Sequence, residues 1–229
     1  MPRSIPPIDG YDIAHAWQPA RHVSGDYFDI LPFTDQQIGF CIADVTGKGM
    51  PAALLMSNIQ AMVHAFASES LSPSPLCEKV NRSMAPNLPD DKFVTFFYGI
   101  LDTEHHCFVI SNAGHNAPIL MRKDGTVIRL EEGGLVLGVF ANSRYDQGKI
   151  FLEPGDRLVF FTDGVTEALN AEDEEFGDEQ LIEVTNACRG KDVSMIQQQI
   201  IYSVTRFCGA IYHDDITVIV VGRKEVGSD

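Results

Sequence analysis

Seven short apolar runs cut by turn residues constrain this chain most: Ile38 to Ala43, Phe93 to Leu101, Cys107 to Ser111, Ile119 to Arg122, Val127 to Leu130, Arg157 to Thr162 and Ile216 to Val221. Their enrichment in Val, Ile, Phe and Thr predicts strands. Asp124-Gly125 between two of them predicts a tight hairpin, because glycine tolerates the positive φ such turns need, so these neighbours are expected to be antiparallel. Helical periodicity is confined to fewer places. Leu55, Ile59, Met62 and Phe66 recur at spacings of four, three and four, and Val193, Ile196, Ile200, Val204 and Phe207 form a second stripe. Pro51 falls in the first turn of the earlier helix, where a missing N–H costs nothing. Shorter helices are expected over Pro75 to Ala85 and Asp178 to Ala187. Antiparallel strands with helices grouped before, between and after them predict an α+β sandwich rather than a doubly wound parallel sheet.

A chain of 229 residues buries one substantial core, so a single domain over residues 1–229 is expected. Seventeen basic side chains face 32 acidic ones, a formal charge of −15; nucleic-acid backbones and anionic membranes would be repelled. Cys41, Cys77, Cys107, Cys188 and Cys208 are odd in number, widely spaced and include no C-x-x-C pair, which argues against a disulfide framework or thiolate zinc site and points to a reducing cytoplasm. The amino terminus, MPRSIPPIDG, has neither a basic region nor an apolar core of the kind that directs export.

The stretch CIADVTGKGMPAALLMS, residues 41–57, delivers Asp44 from an apolar strand to an open Thr46-Gly47-Lys48-Gly49 turn. A phosphate-binding loop requires G-x-x-x-x-G-K-[ST], whereas here Gly39 lies eight residues before Gly47 and Gly49 follows Lys48. A metal-ligand role competes better. Asp26 and Asp29 in SGDYFDI, Asp163 in VFFTDGVTEA, and Asp214 and Asp215 in HDDITVIVV extend the set, mostly at strand ends, where strands fix positions and turns leave side chains open. Several such carboxylates in one cleft require cations, and an all-oxygen donor set suits Mg²⁺ or Mn²⁺ rather than zinc. Each aspartate taken singly also reads as a turn or cap residue.

Taken together, PARHVSGDYFDI, ADVTGKGMPAALLMS, FVTFFYGILD, SNAGHNAPIL, LEPGDRLVFFTDGVTEALN, EEFGDEQL and DDITVIVV resemble, in order and across nearly the whole chain, the PPM-type metal-dependent serine/threonine protein phosphatases. The resemblance is to the bacterial SpoIIE-like branch, whose members act on anti-sigma-factor antagonists. It implies a layered α-β-β-α sandwich of two mainly antiparallel sheets flanked by helices. It also implies that Asp26, Asp44 with the main-chain carbonyl of Val45, Asp163 and Asp214 surround two divalent cations, Mn²⁺ or Mg²⁺. In such a centre ions roughly 3.5–4 Å apart share a bridging water that attacks the phosphoester directly. The implied substrate is a phosphorylated protein, with a STAS-domain anti-sigma-factor antagonist the leading class. Ser24 stands where many relatives have glycine, and the arginine phosphate clamp of eukaryotic relatives has no evident counterpart.

Asp29 and Asp215 are candidates for orienting ligand waters or backbone. Successive residues of a strand point to opposite faces, so Asp214 and Asp215 cannot both meet one cation, and the motif assigns the contact to Asp214. His115, in a Gly-containing turn, reads more readily as a hydrogen-bond bridge than as a proton donor, and Lys48 as readily solvent-facing as substrate-facing. In relatives the region Pro51 to Phe66 with Pro73 to Asp91 is a movable element answering to upstream sensor or receiver domains. No sensor domain precedes Met1, so the chain reads either as a single-domain enzyme or as the carboxy-terminal effector module of a longer protein. The competing function is a phosphatase-like regulatory module that binds without turnover; a nucleotide hydrolase lacks any base-binding signature.

Overall fold

A computed structural model describes residues 5, 7–20, 23–89 and 91–225. Arg21 and His22 of the PARHVSGDYFDI motif, Asp90 of the expected movable region and most of the first six residues lie outside the described residues. In chain order the elements are β1 (Tyr11–Gln18), β2 (Tyr27–Pro32), β3 (Gln37–Val45), α1 (Met50–Phe66), α2 (Pro73–Met84), a short 3-10 turn (Ala85–Asn87), β4 (Val94–Asp102), β5 (Cys107–Ala113), β6 (Ile119–Met121), β7 (Val127–Arg129), β8 (Gly133–Gly134), β9 (Gly148–Phe151), β10 (Arg157–Phe161), α3 (Asp163–Thr166), α4 (Gly177–Ala187), α5 (Val193–Phe207) and β11 (Ile216–Arg223). The seven expected strands and both long helices are present. The chain is α+β, with two mainly antiparallel sheets flanked by helices. It divides into two compact units.

The first unit contains Val23–Ala117 and Leu130–Leu152. Its sheet runs β2-β3-β4-β5-β8, with β9 also on β5, and only β5–β8 is parallel. Alternation along β3 puts Cys41, Ala43 and Val45 on the helix-covered face, where they pack with Ile59 and Val63 of α1 and Leu76, Cys77 and Val80 of α2. Ile42 and Asp44 therefore project from the opposite face. Burial pushes the Cys77 thiol up to about 12, and all five cysteines are free thiols, as their spacing predicts.

α2 starts at Pro73 rather than Pro75 because both prolines fit a first helical turn, where no N–H is needed. One face of α2 holds the segment that precedes β9. Ser74 Oγ donates to the Tyr145 carbonyl at 2.6 Å, Glu78 pairs with Arg144 at 2.9 Å, and the buried Asn81 uses both ends of its carboxamide. Its Nδ2 donates to the Phe140 carbonyl and its Oδ1 accepts the Gly138 N–H, each at 2.8 Å. Positions 74, 78 and 81 share a helical face, so three successive turns grip one stretch of main chain.

The second unit contains Pro7–His22, Pro118–Arg129 and Glu153–Asp229. Its sheet runs β1-β11-β10-β6-β7, all antiparallel. The Asp124-Gly125 hairpin joins β6 to β7, with Gly125 at φ 94°. The buried stripe Val193, Ile196, Ile200 and Val204 of α5 packs with Val159, Phe161, Val218 and Val220 of the sheet. Among the described residues, no helix is long and apolar enough to cross a membrane.

Candidate metal centre

β3 runs two residues beyond the apolar stretch that predicts it, so Asp44 and Val45 are its last residues. The turn that follows reaches α1 through Gly47 at φ 97° and Gly49 at φ 81°, left-handed conformations that favour glycine. Thr46 fixes the turn to β4: its N–H and Oγ1 both donate to the Phe93 carbonyl, at 3.1 and 2.9 Å. Lys48 is exposed on it.

Tyr27 pairs with Ala43 across β2 and β3, so the same register carried one step further sets Asp26 opposite Asp44. Asp26 is buried and Asp44 partly exposed. Ser24, the departure from glycine, has a local function: its buried hydroxyl accepts the Asp26 N–H at 3.0 Å, fixing the main chain just before the carboxylate. Gly25 completes the arrangement. A Cβ there would stand 3.1 Å from the Val45 carbonyl oxygen and 3.2 Å from Asp44 Oδ1. The bare glycine thus leaves a notch in which a carboxylate oxygen and a carbonyl oxygen come within reach of one point. Both are hard donors, and the notch fits a hard divalent cation such as Mg²⁺ or Mn²⁺.

Asp29 turns elsewhere. It is buried, its Oδ2 accepts from the Tyr27 hydroxyl at 3.2 Å and meets His64 Nε2 at 2.8 Å, and its Oδ1 accepts the Ile30 N–H at 3.0 Å. It therefore ties β2 to the last turn of α1.

In the second unit Asp163 opens α3 directly after β10, and Asp214 lies two residues before β11. Both are partly exposed. The buried Thr162 stitches the two segments together: its N–H donates to the Thr217 carbonyl at 3.1 Å and its Oγ1 accepts the Thr217 N–H at 3.0 Å. Gly164 presses on the Asp214-Asp215 main chain so closely that no Cβ fits. The main-chain segments that carry Asp163 and Asp214 are thereby held in close contact. Asp214 Oδ1 accepts the Asp215 N–H at 2.9 Å, whereas the buried Asp215 accepts the Ala20 N–H at 2.8 Å through Oδ1. The neighbouring carboxylates thus have different surroundings, Asp215 holding the main chain after β1 and Asp214 capping its own turn.

Among the described residues, no group of three or more His, Cys, Asp or Glu side chains stands ready to hold a metal. The first unit brings together Asp26, Asp44 and the Val45 carbonyl, and the second Asp163 and Asp214. Sequence reasoning missed Gly25, Gly164 and Thr162, whose importance lies in close approaches between segments distant in sequence. The Ser24-x-Asp26 spacing was the one readable signal.

Two of the solved structures that share this fold bear on the chemistry. One is the PP2C phosphatase domain, with a fragment of the regulatory domain, of SpoIIE from Bacillus subtilis. It superposes with a TM-score of 0.82 at 19% identity, covering 93% of this chain and 63% of that one. The other is the catalytic domain of the serine/threonine protein phosphatase PstP in complex with two manganese ions, with a TM-score of 0.67 at 14% identity, covering 94% of this chain and 99% of that one. The fold is thus that of the PP2C-type phosphatases. A family model described as Stage II sporulation protein E (SpoIIE) matches residues 34–224, and the chain belongs to that family. Phosphoserine phosphatase RsbU of Bacillus subtilis (strain 168) is 34% identical over 223 residues, 96% of this chain and 65% of the relative. The chain therefore spans just under two thirds of the length of that curated relative.

Proposed function

We propose that this chain is a metal-dependent protein serine/threonine phosphatase module that hydrolyses phosphoserine or phosphothreonine on a partner protein. The observation that carries this reading is the notch at Gly25, where the Asp44 carboxylate and the Val45 carbonyl present oxygen to one point. Asp26, Asp44, the Val45 carbonyl, Asp163 and Asp214 are the residues proposed to hold two divalent cations, Mn²⁺ or Mg²⁺. The manganese ions of the PstP complex support that choice. When bound, such ions supply Lewis acidity that activates water and neutralises charge building on phosphoryl oxygens. The chain's own residues supply position: Ser24 fixes Asp26, Thr46 anchors the turn after Val45, and Gly164, next to Asp163, packs on the Asp214-Asp215 main chain. Asp215 and Asp29 act one step removed, each holding main chain or helix near a proposed ligand. The family and the likeness to RsbU, named a phosphoserine phosphatase, support a phosphoprotein substrate, and a STAS-domain anti-sigma-factor antagonist is the class we favour.

The deciding assay is phosphate release from a serine-phosphorylated protein of that class, with Mn²⁺, without it, and with excess chelator. Release with Mn²⁺ that chelator abolishes is the expected result. Tight partner binding without release would leave a regulatory module without turnover, and full release in chelator after dialysis would overturn metal dependence.

A further inference from the structure

Thr95 stands directly opposite Asp44 in the β3–β4 register, so the two side chains share one face of the sheet. The Thr95 Oγ1 lies 3.5 Å from the Asp44 main-chain oxygen and 2.8 Å from His115 Nδ1. His115 is itself closely held. It is 5% exposed, its N–H donates to Asn112 Oδ1 at 2.7 Å, and its carbonyl accepts from Asn112 Nδ2 at 3.0 Å. One side chain thus grips both ends of the His115 backbone, and the same Nδ2 reaches the Leu130 carbonyl at 3.2 Å. Gly114 before it sits at φ 69° with Val136 in the space a Cβ would need. The imidazole is therefore placed by the β5 turn, independently of α1 and of the Thr46–Gly49 turn.

We infer that His115 and Thr95 are positioning residues for Asp44, with Asn112 and Gly114 fixing the ring and the ring fixing the threonine hydroxyl beside the end of β3. The inference rests on the metal-dependent phosphatase reading and deepens it. Asp44 and Val45 are the last residues of β3, ahead of an open glycine-rich turn. A hydroxyl held against the Asp44 main chain limits how far that end can drift. Two donors that must stay within coordinating reach of one ion lose affinity when the groups orienting them are removed, commonly about 10–100-fold.

The test measures Mn²⁺ binding without substrate, by calorimetric titration and by the Mn²⁺-induced rise in Tm, in Thr95→Val, Thr95→Ser, His115→Ala and His115→Asn. Thr95→Val and His115→Ala should bind Mn²⁺ about 10–100-fold more weakly, with kcat at saturating Mn²⁺ falling much less than the affinity. Thr95→Ser keeps the hydroxyl, and His115→Asn sets an amide where Nδ1 was; both should bind Mn²⁺ nearly as the wild type does. If His115→Ala does not fold, His115→Gln replaces it, since it fills the space but sets its amide too far out for Thr95. Wild-type affinity in folded Thr95→Val and His115→Ala would overturn the inference and leave the phosphatase reading intact. An equal loss in Thr95→Ser and His115→Asn would also overturn it, marking a packing role. A wild-type protein that binds no Mn²⁺ would overturn the metal-dependent reading itself, and the inference with it.

Discussion

Gly164 lies against the main-chain carbonyl of Asp215, closer than any Cβ could stand. The contact is with backbone, so no side-chain rearrangement can relieve an added methyl group. Gly164→Ala should push α3 away from the start of β11, costing about 1–3 kcal/mol of stability and separating Asp163 from Asp214. Urea denaturation and Mn²⁺ titration together check this. A variant with wild-type stability and metal affinity would show that the approach is not needed.

Gly25→Ala should behave differently. The atoms nearest its new Cβ would be the Val45 carbonyl oxygen at 3.1 Å, Asp44 Oδ1 at 3.2 Å and Ala52 Cβ at 3.4 Å, contacts that small shifts can relieve. Stability should change little, while the methyl group occupies the notch proposed for the ion. Thermal unfolding close to wild type, with Mn²⁺ affinity sharply reduced, is the expected pair of results.

Asp44→Asn and Asp163→Asn should keep the fold and lower phosphate release at least ~10²-fold, because each removes charge neutralisation from the transition state. The Asp214 and Asp215 variants should divide by their partners. Asp214→Ala should abolish metal-dependent turnover. Asp215→Ala should instead lose about 1–3 kcal/mol of stability, since the Ala20 N–H is left without its acceptor, and Asp215→Asn, which keeps a carbonyl, should recover most of it. Folded Asp215→Ala with wild-type stability, or Asp214→Ala with wild-type turnover, would reverse the assignment.

His105 and Asp102 form an exposed pair outside the proposed centre, with His105 Nδ1 2.9 Å from Asp102 Oδ2. The hydrogen bond to Asp102 and its charge raise the His105 pKa above 6.5. Burial alone would raise Asp102, but the N–H and imidazole of His105 outweigh it and hold the carboxyl below 3.8. The pair's contribution is therefore present between these ordinary values. It fades as pH rises through the elevated His105 pKa and as pH falls through the depressed Asp102 pKa. NMR titration should show His105 titrating above 6.5 in the wild type and near 6.5 in Asp102→Asn. An unchanged titration in the variant would assign the shift to other charges.

The strands that carry Asp44, Asp163 and Asp214 were legible because each is a continuous apolar run buried on both faces. β1 and β2 were not. In β1, YDIAHAWQ, polar residues alternate along an edge strand, and its apolar content is too diluted to read as a run. In β2, YFDILP, Asp29 interrupts the pattern. The same aspartate looked like a site residue, yet its carboxylate is satisfied by Tyr27 and His64. The positions of Asp26 and Asp44 could be guessed from strand ends, but what sets their geometry could not. Gly25, Thr95 and Asn112 act through contacts with residues about 15 to 50 positions away in some cases and closer in others, and a single sequence carries no mark of such approaches.

The grip of α2 on the segment from Gly138 to Tyr145 has a mechanical consequence. Ser74, Glu78 and Asn81 meet that segment at spacings only an intact helix provides. Sliding the helix by one residue turns this face by about 100°, which withdraws all three contacts at once. The placement of residues 138–145 is therefore tied to the helicity of α2.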